Sequence, residues 1–261
     1  MRLPTFQIDA FTDRPFRGNP AAVVLLPDWL PDALLQSIAL ENNLAETAFL
    51  VKEREGWHIR WFTPELEMDL CGHATLASAF VLFHELREPG ACLHFRSMSG
   101  PLRVEREGER LVLDFPSRPP VSCEAPLGLL EALGMAPRPV SRARDHFLVL
   151  ETEAEVAALR PDFKALDRVD SPGVIVTAPG DAVDFVSRFF TPQAAIPEDP
   201  VTGSAHCTLI PYWAERLGRN RLSARQISGR GGDLECELCG DRVRIGGRAV
   251  KVLQGEFLLP D

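Results

Sequence analysis

Hydrophobic and polar positions along this chain switch repeatedly between a two-residue and a helical period. Thr5 to Ala10 alternates as a half-buried strand does, and a turn-rich stretch from Thr12 to Pro20, containing Gly18-Asn19-Pro20, follows it. Pro31 stands where a first helical turn starts, and Leu34, Leu35 and Ile38 form a stripe that ends near Glu41. Ala48 to Val51 and Trp57 to Phe62 predict strands on either side of the charged turn from Lys52 to Gly56. From about His73 to Leu86 the pattern predicts a helix that is apolar nearly all round, and therefore buried. Leu93 to Phe115 divides into short strands at Ser99-Gly100 and Glu107-Gly108.

Pro116 to Pro126, with Pro119-Pro120 inside it, predicts a linker, and beyond it the order repeats coarsely. Helices are expected at Leu127 to Leu133 and Glu153 to Leu159, with a strand at Phe147 to Leu150 between them. Strands at Val174 to Ala178 and Asp184 to Phe190 precede a loop that runs into a helix from about Ser204 to Leu217. Four strand-like runs finish the chain, the last from Ala249 to Leu259. Each half thus has strands, a loop-to-buried-helix junction and more strands. The two junctions read Cys71-Gly72-His73-Ala74-Thr75 and Thr202-Gly203-Ser204-Ala205-His206. Helices and strands are mixed rather than strictly alternating, and the shared Gly-x-Ala core predicts a pseudo-repeat of two lobes.

Composition narrows the partners. The chain has 261 residues, 45% apolar and 25% charged, which is enough for one large domain or two lobes. Its 28 basic and 37 acidic residues leave a net charge of −9, which disfavours nucleic acid and anionic membrane as partners. The N-terminus has no apolar segment of the kind a signal peptide carries. The longest apolar stretch, Leu70 to Phe83, contains His73 and falls short of the ~20 residues a membrane span needs. Six scattered cysteines without a secretory signal predict a reduced, cytoplasmic protein.

Gly72 and Gly203 each open a predicted helix, where the first backbone N–H groups and the positive end of the helix dipole make an anion site. The competing use is a tight turn with close packing. Glu46, between a helix and an apolar strand, is placed for partial desolvation and acid/base work, or it is an exposed loop glutamate. Asp199 is a site residue or a loop and capping residue, and His73 a site residue or a hydrogen-bonded core histidine. Cys71 is either a thiol activated at a helix N-terminus or an inert buried cysteine. The lone Cys236-x-x-Cys239 has no partner pair at metal spacing and reads as structural. No dinucleotide or P-loop signature occurs, and the three lysines (Lys52, Lys164, Lys251) lie in no motif context. No cofactor and no metal are expected.

Four blocks then carry a resemblance. They are Asp9-Ala10-Phe11-Thr12 through Phe16-Arg17-Gly18-Asn19-Pro20-Ala21-Ala22-Val23, then Asn43-Leu44-Ala45-Glu46-Thr47-Ala48-Phe49, then Phe62-Thr63-Pro64 through Asp69-Leu70-Cys71-Gly72-His73-Ala74-Thr75. The fourth runs from Arg188-Phe189-Phe190 through Glu198-Asp199-Pro200-Val201-Thr202-Gly203-Ser204-Ala205-His206. In order and spacing they resemble the PhzF family, the phenazine-biosynthesis isomerase and its relatives.

The resemblance implies an α+β fold of the diaminopimelate epimerase type: two pseudo-symmetric lobes, each a mixed sheet wrapped around a central helix, with the active site between them. Residues 1–116 would form the N-terminal lobe, joined by the last strand at about 249–261, and residues 117–248 the C-terminal lobe. Glu46 matches the family's proton-transferring acid/base, and His73 and Asp199 match its polar partners. Gly72, Gly203 and Ser204 match the donors that hold a substrate carboxylate, and Asn19 belongs to the Gly-Asn-Pro motif near the site. The expected function is a cofactor-independent isomerase of a small, amino-acid-like carboxylate, acting as a homodimer. The alternatives are an amino-acid racemase or epimerase and a non-catalytic binding protein on the same scaffold. The related epimerases use paired cysteines, whereas this chain pairs Cys71 with Pro200 at the approximate partner position. Ala45 stands where the phenazine enzyme is similar to a serine, which argues against the phenazine precursor as substrate.

Overall fold

The computed structural model describes residues 1–192 and 196–259, and the end of the strand expected over 249–261 lies outside them. In chain order the first elements are β1 (Arg2–Ala10), β2 (Asn19–Leu26), α1 (Asp32–Asn42), β3 (Glu46–Lys52), β4 (Trp57–Phe62), β5 (Glu67–Met68), α2 (Gly72–Phe80), β6 (Cys92–Ser97), β7 (Gly100–Glu107) and β8 (Arg110–Pro116). Next come β9 (Val121–Cys123), α3 (Leu129–Ala132), β10 (Val140–Arg142), β11 (His146–Val149), α4 (Glu153–Ala158), α5 (Phe163–Leu166), β12 (Val174–Pro179) and β13 (Phe185–Thr191). The chain finishes with β14 (Ile196–Asp199), α6 (Gly203–Leu217), β15 (Arg221–Gln226), β16 (Gly232–Cys239), β17 (Arg242–Gly247) and β18 (Ala249–Leu258). These fall into two compact units, Met1–Asp114 with Gly246–Asp261, and Phe115–Ile245.

In the first unit β18 pairs antiparallel with β1, and β1 with β2. β2 then pairs parallel with β3, β3 antiparallel with β4, β4 parallel with β6, and β6 antiparallel with β7. The second unit runs through the same sequence of pairings. β9 pairs antiparallel with β10, β10 with β11, and β11 parallel with β12. β12 pairs antiparallel with β13, β13 parallel with β15, and β15 antiparallel with β16. In both units a short strand paired with the fifth strand of this order (β5 on β4, β14 on β13) leads through a short turn into the buried helix. The pseudo-repeat therefore extends through the whole topology, far beyond the shared Gly-x-Ala core, and the fold is α+β with mixed sheets.

Composition explains why each central helix can be buried. Every residue of α2 from Gly72 to Ala79 is buried, and most are Gly, Ala, Ser or Thr, which lets strands approach closely. Its hydroxyls close on its own backbone: Thr75 Oγ1 donates to the Cys71 carbonyl at 2.5 Å and Ser78 Oγ to that of Ala74 at 2.7 Å. The apolar run expected as helix to Leu86 is α-helical only to Phe80 and then widens into a π-turn over Val81–Glu85, where Leu86 N–H donates to the Val81 carbonyl at 3.1 Å. In α6, Pro211 has no N–H for the Cys207 carbonyl, and the freed oxygen instead accepts the Arg118 N–H at 2.8 Å. That bond docks the segment expected to be a plain linker, which also contains β9.

Candidate active site

Local backbone chemistry sets each side chain of the first group. Gly18 takes φ +64°, and a Cβ there would lie 2.1 Å from the Ala10 carbonyl oxygen, so the turn accepts glycine alone. Asn19 follows it as the first residue of β2, fully buried. Asn43 ends α1 in the left-handed region with its N–H on the Ala39 carbonyl at 3.1 Å. Asn42 Nδ2 then donates to Thr47 Oγ1 at 3.0 Å, and Glu46 opens β3 opposite Ala21 of β2. Cys71 is the N-cap of α2 with no side-chain capping bond, so the first N–H groups of that helix remain open.

These elements bring Asn19, Glu46, Cys71 and His73 together. Nδ2 of Asn19 lies 3.1 Å from Nδ1 of His73, and the Cys71 sulfur lies 3.6 Å from the same nitrogen. On the other edge of the ring, His73 Nε2 lies 3.1 Å from Glu46 Oε2. That contact is too poorly aligned for a hydrogen bond, and neither atom has another hydrogen-bond partner among the described residues. A buried polar atom without a hydrogen bond costs about 1–3 kcal/mol, so the two atoms make a polar spot that a water or a ligand would relieve. The Glu46 side chain is 13% exposed and that of His73 is 5% exposed, so the carboxylate is the more accessible side of the pair.

Burial, and after it the Glu46 carboxylate, push the Cys71 thiol above its ordinary range, so it is protonated at neutral pH. For His73, burial opposes the imidazolium, but the neighbouring Cys71 sulfur and then the Glu46 carboxylate outweigh it and hold the ring well above its ordinary value. His73 is thus a buried histidine with one ring nitrogen in contact with Asn19 and the other without a hydrogen bond among the described residues.

The second unit assembles Asp199, Thr202, Gly203 and Ser204. Asp199 ends β14 rather than lying in a loop, and its Oδ2 accepts the Thr202 hydroxyl at 2.5 Å. Thr202, the N-cap of α6, thus spends its hydroxyl on Asp199 and leaves the helix N–H groups uncapped. Because Thr202 precedes Gly203 as Cys71 precedes Gly72, the counterpart of Cys71 is Thr202, two residues beyond Pro200. Arg144 donates from Nη2 to Ser204 Oγ at 3.4 Å and from Nε to Asp145. Arg188 forks onto Glu198 with two bonds of 2.7 Å, fixing β14 beside β13.

One residue here carried no sequence signal. Gln226, fully buried at the end of β15, accepts the Thr202 N–H at 2.9 Å, and its Nε2 donates to the Asp199 carbonyl at 2.7 Å and to Thr202 Oγ1 at 3.1 Å. It is the anchor of the Asp199–Thr202 turn. His206 donates from Nδ1 to the Thr202 carbonyl at 2.8 Å, and its Nε2 is buried with no partner among the described residues. Cys236 is buried and Cys239 exposed, on the strand preceding the Gly240 turn. Among the described residues the only group of three potential metal-binding side chains is Glu46, Cys71 and His73.

The family described as phenazine biosynthesis-like protein (PhzC-PhzF) matches residues 8–255. The chain belongs to this family. It is 57% identical to a Pseudomonas aeruginosa protein named as an uncharacterized isomerase, over 99% of this chain and all of that one. A PhzF-family crystal structure from Enterococcus faecalis superposes with a TM-score of 0.96 at 52% identity, covering 99% of this chain and 100% of the other. A probable proline racemase from Agrobacterium radiobacter shares the fold, with a TM-score of 0.69 at 10% identity, covering 99% of this chain and 93% of that one. The protein is an isomerase of the PhzF family, on the fold that this family shares with the racemase and epimerase group. No helix among the described residues is long and apolar enough to cross a membrane.

Proposed function

We propose that this PhzF-family isomerase moves a proton within a small, amino-acid-like carboxylate, without a cofactor, and that Glu46 is the group that carries it. The Glu46 carboxylate takes a proton from a substrate carbon, the electron pair left behind shifts the double bond, and the protonated Glu46 returns the proton to another carbon of the same molecule. The observation that carries this reading is the 3.1 Å approach of Glu46 Oε2 to His73 Nε2, both atoms buried and without hydrogen bonds. His73 Nε2, 3.1 Å from the Glu46 carboxylate, orients it toward the substrate and steadies the carboxylate as the proton is returned.

The open N–H groups at Gly72 and at Gly203 and Ser204 are the donors assigned to the substrate carboxylate, where the helix dipole adds to the hydrogen bonds. Asp199, fixed by Thr202 and Gln226, is assigned to orienting the substrate. The protonated Cys71 makes a poor base, which weighs against two-sided racemisation through a thiol. The family resemblance extends the reading to a homodimer in the reducing cytoplasm, with all six cysteines free.

The test is incubation with a panel of small carboxylates in D₂O, followed by NMR. Deuterium uptake together with a shifted double bond supports the proposal. Uptake with inversion at Cα makes the protein a racemase, and silence across a broad panel removes the catalytic reading.

A further inference from the structure

We infer that Glu46, Cys71 and His73 form a site for one zinc ion, whose binding blocks the proposed proton transfer. One donor atom from each of the three residues lies within 4.8 Å of the others. A tetrahedral zinc with bonds of about 2.0–2.3 Å places its ligands roughly 3.3–3.8 Å apart, so the cluster has at most about 1.5 Å to close. Glu46 Oε2 already lies 3.1 Å from His73 Nε2, and Cys71, whose sulfur lies 3.6 Å from Nδ1 of the same ring, is the donor that must move. Asn19 engages Nδ1, which leaves Nε2 as the nitrogen for a metal, and Nε2 and Oε2 are the two buried atoms lacking hydrogen bonds.

The donor set selects the ion. Sulfur, imidazole nitrogen and a carboxylate oxygen suit zinc, whereas magnesium and calcium require oxygen ligands. Three protein donors leave a fourth position for water or a substrate carboxylate. Coordination releases the Cys71 thiol proton and the His73 Nε2 proton to solvent, and the bound zinc occupies the lone pair that Glu46 needs to accept a proton. Binding itself follows from the donor cluster alone, and only the block rests on the proposed role of Glu46.

The experiment separates the two. Cys92, Cys123 and Cys239 are partly or fully exposed, and the Cys92 sulfur lies 3.7 Å from His94 Nε2, so all three are first replaced by serine to remove competing thiols. Cobalt(II) is titrated into this protein as a spectroscopic probe, and zinc is then used to displace it. The expected result is one cobalt per chain with a thiolate-to-cobalt charge-transfer band, displaced by zinc and unaffected by excess magnesium. Cys71→Ser abolishes the band and weakens zinc by about 100-fold or more, and His73→Gln also weakens it. Circular dichroism checks folding, with Cys71→Ala as the second variant should serine disturb the core. No charge-transfer band at stoichiometric cobalt, or equal zinc affinity in the Cys71 variants, overturns the site. Deuterium exchange into a turned-over substrate, measured with and without zinc, tests the block: full exchange by the zinc-loaded protein overturns that half, while Glu46→Gln reports separately on the role of Glu46.

Discussion

Asn19 and His73 meet at 3.1 Å between Nδ2 and Nδ1, and this contact decides which nitrogen of His73 faces Glu46. Asn19 is fully buried and the Gly18 turn fixes its position. A neutral ring accepts from the Asn19 amide at Nδ1, and an imidazolium keeps the contact with the amide turned over. In either form Nε2 stays aimed at the carboxylate. The contact suits Asn19 to positioning His73.

Replacing it tests that role. Asn19→Ala should lower the rate of deuterium exchange by about 10–100-fold while leaving carboxylate affinity within a few-fold, since only the orientation of the ring is lost. Asn19→Asp, which can still accept from an imidazolium, should recover part of the rate. An unchanged rate in a folded Asn19→Ala protein would detach Asn19 from the chemistry.

Glu46→Gln should lower turnover by at least ~10²-fold with the fold and ligand affinity retained, because glutamine preserves shape and hydrogen-bonding reach but shuttles no proton. Single-turnover exchange monitored by NMR is the measurement. A rate above about a tenth of wild type would take the acid/base role away from Glu46.

Much of this was legible in the chain because the informative residues are contiguous. Asn42-Asn43-Leu44-Ala45-Glu46-Thr47 holds a helix stop, a side-chain tie and the first residue of a strand in six positions, so a local reading finds Glu46. The Gly-x-Ala junctions likewise disclose both buried helices. What escaped has physical reasons. β2 is buried between β1 and β3 and shows an unbroken apolar run instead of alternation. β9, β10 and β14 have three or four residues, too few to display a period. Gln226 acts on Thr202 across 24 positions of sequence, and no local pattern marks an isolated glutamine as the anchor of a turn. The counterpart of Cys71 is Thr202 and not Pro200 because the helix starts, and not the motif lengths, set the correspondence.

Gly203→Val should weaken binding of carboxylate ligands, because a branched side chain crowds the N–H groups that receive the anion at the start of α6. Calorimetric titration of a turned-over carboxylate gives the answer. Equal affinity in a folded variant would move the anion site elsewhere.

Cys71→Ala should keep most of the isomerase rate and cost about 1–2 kcal/mol of stability, the price of a small buried cavity. The thiol is protonated, and its counterpart, Thr202, is committed to Asp199. A fall of ~10³-fold in both Cys71→Ala and Cys71→Ser, with melting temperatures close to wild type, would restore the thiol as a base and favour the racemase reading.

His206 makes the stability of the second unit depend on pH in a direction that follows from its surroundings. The ring is fully buried, burial pushes its pKa down from 6.5 to about 4, and the bond to the Thr202 carbonyl opposes that only in part. In the unfolded chain the same histidine titrates near its ordinary value. Between the two values the unfolded state therefore binds more protons than the folded state, and stability must rise with pH across that window. The His206 contribution is complete above the unfolded value and is lost as pH falls toward the folded one. From about pH 8 to about pH 5 the loss amounts to roughly 2 kcal/mol, since each pKa unit is worth about 1.4 kcal/mol. His206→Asn retains a donor for the Thr202 carbonyl and has no proton to bind in this range, so it should be less stable than wild type at pH 8 but lose about 2 kcal/mol less on acidification. Urea denaturation of both proteins at the two pH values measures the difference. Parallel losses would mean that His206 is protonated in the fold, and with it that the Thr202 end of α6 is far wetter than its burial indicates.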